Sequence, residues 1–268
     1  MNEYSYYNSS LKINYAEGPN HGVPILLLHG ATHRWQSFTP ITADLCVYFH
    51  VYAMDFRGHG KSQKRAAGYA LEDHLEDTQS FIQGVTKEPT VLIGHSLGAM
   101  VGSMLAAAQP HLVKALILID PPLNLSYLRQ LTMGFKDQIN MLIQGLRLVN
   151  FGLPIEHFIP EHVRHCDPDM LSAMTHEFDE TFKHYNINEL VKQIMCPTLL
   201  LYGSSALGSL ISANEVGELL TIKPDIVPIH IENAGHSPIR QDKETTLNAI
   251  MQFMEDKNIT PLKVKGKT

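Results

Sequence analysis

Short apolar runs recur along the chain, separated by longer stretches in which apolar residues return every three or four positions. A fully buried strand needs only a short run, whereas a helix that packs on a sheet shows the longer period. Six runs indicate strands: Ile25–Leu28, Val51–Met54, Val91–Ile93, Ala115–Ile119, Thr198–Tyr202 and Ile226–Ile231. Strands that alternate with helices predict an α/β protein with a mostly parallel sheet covered on both faces.

The two ends of the predicted sheet show special features. Apolar segments at residues 4–8 and 11–16 flank a pair of serines, which predicts an antiparallel hairpin at the start of the chain. Pro228 interrupts the last apolar run and has no backbone N–H to donate to a neighbouring strand. The last strand should therefore lie at the edge of the sheet.

One interval, the helical insertion at residues 121–192, breaks the alternation of strands and helices. It contains helical pattern punctuated by glycine and proline, and more apolar residues than one helix face against a sheet would need. Either its helices pack against each other, or some of its apolar side chains line a pocket over the sheet. The pattern predicts a core domain from residues 1–120 and 193–257, a helical cap from the insertion, and a mobile lysine-rich tail at 258–268.

Composition narrows the possible partners. The net charge is −6, and no long basic run occurs before the last few residues, which argues against nucleic acid and anionic membranes and favours a small-molecule substrate. Three widely spaced cysteines fit reduced thiols, and no apolar stretch approaches the ~18 residues of a membrane span. We therefore expect a soluble, cytoplasmic protein, with monomer and homodimer both open.

The segment Gly94–Gly98, with the sequence GHSLG, follows an apolar run and opens a helix-like stretch. A serine hydroxyl is a weak nucleophile, and a sharp strand-to-helix turn can expose it to a base and to free backbone N–H groups. Such a turn crowds its neighbours, so glycine suits both flanks. This context predicts Ser96 as a nucleophile.

A nucleophilic serine needs a base and an oxyanion site. His236 lies in a polar turn directly after the last apolar run, from which it can reach over the sheet as the base. The oxyanion site needs two N–H donors, and the first is the Leu97 N–H at the start of its helix. The second is predicted to be the Ala31 N–H, in the loop after the first buried strand, where Gly30 would permit an unusual backbone.

Other histidines have different explanations. His95, inside the turn, should point away from Ser96 and pack against its surroundings. In the helical insertion, His162 and His165 have a spacing that a metal could use, beside Glu161. Because neither cysteine pairs nor a second fixed motif accompany them, solvated helix faces explain them better, and we predict no metal and no cofactor.

Four segments then carry a family resemblance: His29-Gly30, Asp55–Ser62, Gly94–Gly98 and Ala234–His236. In this order and spacing they resemble serine hydrolases of the α/β-hydrolase fold, of the compact kind with a helical cap, over about residues 20–122 and 196–256. The resemblance implies an eight-stranded type of mostly parallel sheet with the cap inserted after the sixth strand. It also implies that Asp55–Ser62 is a structural turn beside the oxyanion loop.

The chain departs from the family pattern in the acid that should orient His236. Most relatives carry it in the loop after the strand that follows the cap, but residues 203–212 contain no carboxylate. Asp120, after the preceding strand, should reach the same sheet edge, as in some dehalogenase-like and lactonase-like branches. An aspartate before two prolines is also a common turn residue. Ser204, Ser205 and Ser209 are neutral alternatives, and Asp225 precedes its strand, at the wrong end.

The serine also bears on the reaction. Relatives that open epoxides or remove halide attack with a carboxylate, whereas a serine favours acyl chemistry. We predict hydrolysis of a carboxylic ester or lactone of a medium-sized, partly apolar substrate, with Asp120 holding His236. Thioester or carbon–carbon bond hydrolysis would use the same residues, and a non-catalytic ligand-binding protein is the alternative of another class. After the oxyanion loop, Arg34, Trp35 and Phe38 are candidates for substrate contact, and a place in the core explains Trp35 equally well.

Overall fold

The fold was analysed in a computed structural model that describes residues 1–8 and 11–259. Within these ranges eight strands form one sheet, in the spatial order β1-β2-β4-β3-β5-β6-β7-β8. The strands are β1 (Asn2–Tyr7), β2 (Lys12–Glu17), β3 (Pro24–Leu28), β4 (His50–Met54), β5 (Thr90–His95), β6 (Val113–Ile119), β7 (Thr198–Gly203) and β8 (Val227–Ile231). β1 is antiparallel to β2, and β2 is antiparallel to β4. The six strands β3 to β8 are parallel to one another.

The predicted α/β architecture with a mostly parallel sheet is confirmed. β1 and β2 pair antiparallel, with Tyr4 opposite Tyr15, as the first two apolar segments predict. The turn predicted between them, at Ser9 and Ser10, lies outside the described residues. β8 is the edge strand, as Pro228 predicts, and Pro228 lies opposite Leu200 of β7.

Helices connect the strands and cover both faces of the sheet. They are α1 (Thr39–Leu45), α2 (Leu71–Phe81), α3 (Leu97–Ala108), α4 (Leu125–Gly134), α5 (Lys136–Asn150), α6 (Pro168–His176), α7 (Phe178–Thr181), α8 (Ile187–Gln193), α9 (Ala213–Ile222), α10 (Pro238–Gln241) and α11 (Lys243–Asp256). Shorter 3₁₀ turns span Trp35–Phe38, Pro110–Leu112, Glu156–Phe158 and Ser205–Leu207, and a π-helical turn, Ile82–Thr86, extends α2.

Alternation along the buried strands divides the core into two layers. In β3, Leu26 and Leu28 face the layer under α2, α3, α8 and α9, whereas Ile25 and Leu27 face the layer under α1, α10 and α11. This is the expected consequence of a side-chain period of two in a strand that is buried on both faces. The sheet is thus a rigid platform, and its carboxyl edge positions the loops that follow β3, β5, β6, β7 and β8.

The helices α4 to α8 lie between β6 and β7. Ile143, Leu146 and Met170 belong to a separate apolar cluster, so part of the apolar content of the helical insertion packs helix against helix. Other apolar side chains there are on the surface, among them Phe135 and Met141. Neither explanation from the sequence included this third group.

The C-terminal segment remains packed beyond α11. The buried Ile259 packs in the layer under α1 and α11, so the second residue of the predicted tail at 258–268 belongs to the core. Residues 260–268 lie outside the described residues. In the part of the chain that the structure describes, the helices are all too short or too polar to cross a lipid bilayer.

Candidate active site

The carboxyl ends of β5 and β6 and the loop after β8 bring three predicted side chains together. The Ser96 hydroxyl lies 3.1 Å from Nε2 of His236, and Nδ1 of His236 lies 2.7 Å from Oδ2 of Asp120. The hydrogen bonds therefore run from serine to histidine to carboxylate. This is the geometry in which a histidine can take the serine proton while a carboxylate holds its tautomer.

The turn at Ser96 is formed as its glycines require. Ser96 has a φ of 51°, an unusual conformation for a residue with a side chain, and it immediately precedes α3. A Cβ on Gly94 would lie 2.3 Å from the carbonyl oxygen of Gly98, and one on Gly98 would lie 2.0 Å from that of Leu28. Close backbone approach therefore excludes side chains at both positions, and Ser96 is held on a sharp turn at the sheet edge.

Asp120 is fully buried and occupies a strained position after β6, with a φ of 45°. Among the described residues four donors reach its carboxylate: His236, the hydroxyl of Ser209 at 2.5 Å, and the N–H groups of Leu210 at 2.9 Å and Gly203 at 3.4 Å. A buried carboxylate is tolerated only when such donors replace water. These hydrogen bonds therefore hold the carboxylate of Asp120 in place and aim it at His236.

The loop after β7 supplies neither the acid of the family pattern nor a serine that contacts His236. Instead Ser209 donates to Asp120, the acid that follows the neighbouring strand. Ser205 donates to a backbone carbonyl, and Asp225 is exposed in an ion pair with Lys223, as its position at the other end of β8 predicts.

The two predicted oxyanion donors are without hydrogen-bond partners. Within residues 1–8 and 11–259, the backbone N–H groups of Ala31 and Leu97 donate to no other group. Leu97 is the first residue of α3, where the helix dipole also favours negative charge. One detail of the prediction is wrong: the positive φ in this loop belongs to Thr32, at 62°. Gly30 is needed for space, because a Cβ there would lie 3.2 Å from Cβ of Ser96.

His95 packs as predicted, but it packs against His236. Its Nε2 lies 2.6 Å from the carbonyl oxygen of His236, and the two ring centroids are 4.8 Å apart. Burial lowers the pKa of His95 to about 3, so the ring is neutral and Nε2–H donates to that carbonyl. His95 therefore fixes the backbone of the residue that faces Ser96. The sequence signal for this contact was its position beside Ser96 in the turn.

A largely apolar pocket of about 200 Å³ opens above Ser96. Ala31, Thr32 and Leu97 form its floor on the sheet side. Its other wall comes from the helical insertion: Leu128, Thr132, Ile139, Leu142, Leu171, Met174, Thr175 and Phe182. Some apolar residues of the insertion therefore line a pocket over the sheet, in addition to those that pack helix on helix.

The three residues proposed for substrate contact after the oxyanion loop do not line this pocket. The Trp35 indole N–H donates to Glu3, and its backbone N–H donates to Asp55, so substrate contact by Trp35 is not supported. Phe38 is fully buried in the core. Arg34 lines a neighbouring cleft. Sequence distance alone could not separate these three, because Arg34 is extended and a 3₁₀ turn begins at Trp35, so neighbouring side chains point to different surroundings.

The segment around Asp55 has the structural role that the resemblance implies. Asp55 accepts hydrogen bonds from Trp35, Lys61 and Asn14, although burial raises the pKa of its carboxyl. The side chain of Asp55 therefore ties the loop after β4 to the loop after β3.

Nearby, three histidines are buried among aromatic rings. Burial lowers the pKa of His29 and of His59 to about 3, and that of His74 well below its usual value. The His29 ring accepts the N–H of Phe56. These groups support the sheet edge in their neutral form.

His162 and His165 are the two histidines with metal-like spacing. His162 is exposed, and its ring lies 6.0 Å from that of His33. Across the described ranges, no three side chains of His, Cys, Asp or Glu are grouped as they would be around a metal ion.

The order of strands in the sheet, the strained serine after β5 and the histidine after β8 are typical of the α/β-hydrolase fold, and the comparisons with known proteins agree with this assignment. The chain belongs to the alpha/beta hydrolase family, whose model matches residues 25–249.

Individual relatives are distant but extend over most of the chain. The chain is 25% identical to 2-(acetamidomethylene)succinate hydrolase of Mesorhizobium japonicum, over 87% of this chain and 88% of the relative. It is 22% identical to N-formylmaleamate deformylase of Pseudomonas putida, over 92% and 94%. Among solved structures, Est816, described as an N-acyl homoserine lactone degrading enzyme, superposes with a TM-score of 0.74 at 22% identity, over 93% of this chain and 99% of that one. The relatives support a hydrolase, and the structural likeness shows the fold.

Proposed function

We propose that the protein is a serine hydrolase that cleaves a carboxylic ester or lactone through an acyl-enzyme. The observation that carries this proposal is the uninterrupted series of hydrogen bonds from Ser96 through His236 to Asp120. The two N–H groups of the oxyanion loop and the turn complete the set of groups that acyl transfer requires.

The proposed reaction has two halves. In the first, Oγ of Ser96 attacks the carbonyl carbon while Nε2 of His236 takes its proton, and the N–H groups of Ala31 and Leu97 stabilise the oxyanion. The tetrahedral intermediate then collapses and releases the alcohol group, which takes the proton from His236. In the second half, His236 removes a proton from water as it attacks the acyl-serine. The acid product then leaves, with the proton returned to Ser96.

Asp120 serves both halves of this reaction. Its Oδ2 accepts Nδ1–H of His236, which keeps Nε2 free to act as a base. When His236 becomes positively charged, the buried carboxylate stabilises that charge without becoming protonated itself. The hydroxyl of Ser209 and the N–H of Leu210 hold the carboxylate in place during both steps.

The pocket above Ser96 supports a medium-sized and partly apolar substrate. Leu142, Met174 and Phe182 of the helical insertion would contact the acyl or alkyl chain. On the same wall, the hydroxyls of Thr132 and Thr175 donate to backbone carbonyl oxygens of their own helices, so this wall presents mostly apolar surface to a substrate. Methionine adapts to the shape of its neighbours, which suits a pocket that accepts more than one chain.

A second candidate is the cleavage of an N-acyl bond. It is favoured by the names of two relatives, a hydrolase of 2-(acetamidomethylene)succinate and a deformylase of N-formylmaleamate, each aligned over nearly nine-tenths of this chain or more. The same Ser96 and His236 would act, with His236 giving its proton to a nitrogen leaving group. Activity on a matched ester and amide would rank the two candidates.

Labelling with a fluorophosphonate probe tests the proposed nucleophile. The wild-type protein should take up one probe on the peptide that contains Ser96, and Ser96→Ala should take up none. Ser103→Ala is a matched control, because Ser103 lies on α3 with its hydroxyl donating to the carbonyl oxygen of Ala99. Absence of labelling and of ester turnover in the folded wild-type protein would favour the non-catalytic, ligand-binding alternative.

A further inference from the structure

A second cleft, of about 520 Å³, lies beside the pocket above Ser96. It opens between the end of the oxyanion loop, the helical insertion and α10. Its polar lining includes His33, Arg34, Ser37, Glu161, His162 and Arg240. The volume is within the range of clefts that bind small molecules. None of the groups in the proposed reaction uses this space.

The two arginines of the cleft differ from others in the molecule. Elsewhere, Arg57, Arg129 and Arg147 each form an ion pair with an aspartate. Within residues 1–8 and 11–259, by contrast, Arg34 and Arg240 form no ion pair and no side-chain hydrogen bond. An arginine presents five N–H donors in a planar fork that matches a carboxylate. Two such groups in one cleft provide more donors than the protein itself uses.

The balance of charge in the cleft is positive. Glu161 is the acidic residue on its wall, and this carboxylate is exposed and pairs with neither arginine in the described structure. Burial lowers the pKa of His33, so that ring is neutral and adds no charge. Two guanidinium groups against one carboxylate therefore leave a net attraction for an anion.

The rings of His33, His95 and His236 connect the cleft with the site around Ser96. His33 follows Thr32, which lines the pocket above Ser96. The ring of His33 lies 6.1 Å from that of His95, and His95 lies 4.8 Å from the ring of His236. The rings of His33 and His95 thus lie between the cleft and His236.

We propose that this cleft is a carboxylate-binding site in which Arg34 and Arg240 supply the donors. The carboxylate belongs either to the substrate itself, far from its scissile bond, or to a separate small carboxylate. The first source rests on the proposed function. Binding of a carboxylate by the cleft does not, so the two claims can fail separately.

Titration of the Ser96→Ala protein with succinate tests binding without turnover. Succinate should bind, and the neutral succinamide should bind at least about 10-fold more weakly, because the attraction depends on charge. Arg34→Gln and Arg240→Gln should each weaken succinate binding by about 10-fold, and Arg240→Lys should be intermediate, because lysine keeps the charge but loses the fork. Arg240 is exposed and Arg34 is half-buried, and neither side chain has a hydrogen-bond or ion-pair partner among the described residues, so these variants should fold.

Two control substitutions sharpen the titration. Lys114→Gln removes one positive charge at the opposite end of β6 and should leave succinate binding unchanged. Glu161→Gln removes the negative charge from the cleft and should strengthen binding by about threefold. No saturable binding of succinate, or equal binding by the double variant of Arg34 and Arg240, would overturn the proposal.

A pair of esters then distinguishes the two sources of the carboxylate. Monoethyl succinate and ethyl butyrate differ in one carboxylate, and a pH-stat follows the hydrolysis of both. If the carboxylate belongs to the substrate, the arginine substitutions raise KM for monoethyl succinate by about 10-fold and leave ethyl butyrate unaffected. If the ratio of the two KM values does not change in the arginine variants, while the wild-type protein still binds succinate, the site is supported and its ligand is a separate carboxylate. Failure of the wild-type protein to cleave either ester counts against the proposed function, while the titration still decides the cleft.

Discussion

The two walls of the pocket above Ser96 are built on opposite principles. On the sheet side, polar groups are buried and fixed by hydrogen bonds, and Asp120 alone accepts four among the described residues. On the side of the helical insertion, the wall is mostly apolar, and the helices behind it also expose large apolar side chains such as Phe135 and Met141.

This difference suggests separate roles for the two walls, with the reaction on the sheet side and the choice of substrate on the side of the helical insertion. A buried carboxylate that loses a partner costs free energy and misaligns His236, so the sheet side tolerates little change. Apolar side chains of similar volume replace one another at a cost below about 1.5 kcal/mol, so the insertion side can vary. We infer that substitutions on the sheet side alter turnover, whereas those on the insertion side alter which substrate is accepted.

The largest expected effect is on the sheet side, at Asp120. Asp120→Asn should lower kcat by about 10⁴-fold, because an amide cannot stabilise the charged form of His236 and favours the wrong tautomer. Steady-state kinetics with an ester substrate would measure it, with circular dichroism to verify the fold. Asp225→Asn is the control, since that carboxylate is exposed and distant from Ser96. Near-normal turnover of Asp120→Asn would exclude Asp120 as the orienting acid.

The buried histidines of the sheet side predict a loss of stability in acid. The pKa of His29, His59 and His95 is about 3 in the folded protein and 6.5 in the unfolded chain. Because the unfolded chain binds more protons below pH 6.5, the contribution of these three histidines to the free energy of unfolding is constant above that pH. It should then fall by about 1.4 kcal/mol per pH unit for each histidine as the pH decreases towards 3. Urea unfolding between pH 8 and pH 5 would measure this.

A control variant isolates one of these groups. His74 is fully buried, its pKa is lowered by burial, and neither ring nitrogen has a hydrogen-bond partner in the described structure. His74→Phe should therefore reduce the slope by about 1.4 kcal/mol per pH unit while leaving stability at pH 8 largely intact. A slope that does not change would show that His74 does not contribute to acid sensitivity.

A smaller effect is expected at Ser209, which acts through Asp120. Ser209→Ala removes a hydrogen bond to a charged group and should lower kcat by about 10- to 100-fold with little change in KM. Ser209→Thr should restore much of the activity, because it keeps the hydroxyl. Ser205→Ala, in the same loop, should have no effect on kcat. A loss as large as that of Asp120→Asn would mean that Ser209 has a more direct role.

The smallest effect on turnover should come from the insertion side. Leu142→Ala enlarges the apolar pocket and should shift the preference towards longer acyl chains by about 10-fold in kcat/KM. Turnover of an acetyl ester should change little, because Ser96, His236 and Asp120 are untouched. A series of acyl chain lengths would measure the shift. A general loss of kcat across the series would contradict the division of roles between the two walls.

The proximity of Ser96, His236 and Asp120 could be predicted from the sequence, because each follows a parallel strand and such strands end at one sheet edge. The packing of His95 followed from its place beside Ser96, but its partner, the carbonyl of His236, and the contact of Ser209 with Asp120 could not be predicted, since they depend on how two loops fold over that edge. Gly30 was assigned to an unusual backbone angle, but its neighbours explain it by space.

Other contacts needed the three-dimensional structure for a different reason. Trp35 is one residue from Arg34 in the chain, yet the two side chains face different surroundings. The cleft of Arg34 and Arg240 joins segments about 200 residues apart, so no local pattern could indicate it. Local patterns thus predicted the sheet and the proximity of Ser96, His236 and Asp120 better than the surroundings of Arg34 and Trp35.

Trapping of the acyl-enzyme tests the central claim most directly. The wild-type protein would be mixed with 4-nitrophenyl acetate, quenched in acid within the first turnover, and its peptides analysed by mass spectrometry. The account predicts one acetyl group on the peptide that contains Ser96, and none on this peptide in Ser96→Ala. Hydrolysis of the ester without any acetyl group on Ser96 would contradict the account. An acetyl group on another residue, formed and lost as fast as the ester is hydrolysed, would contradict it as well.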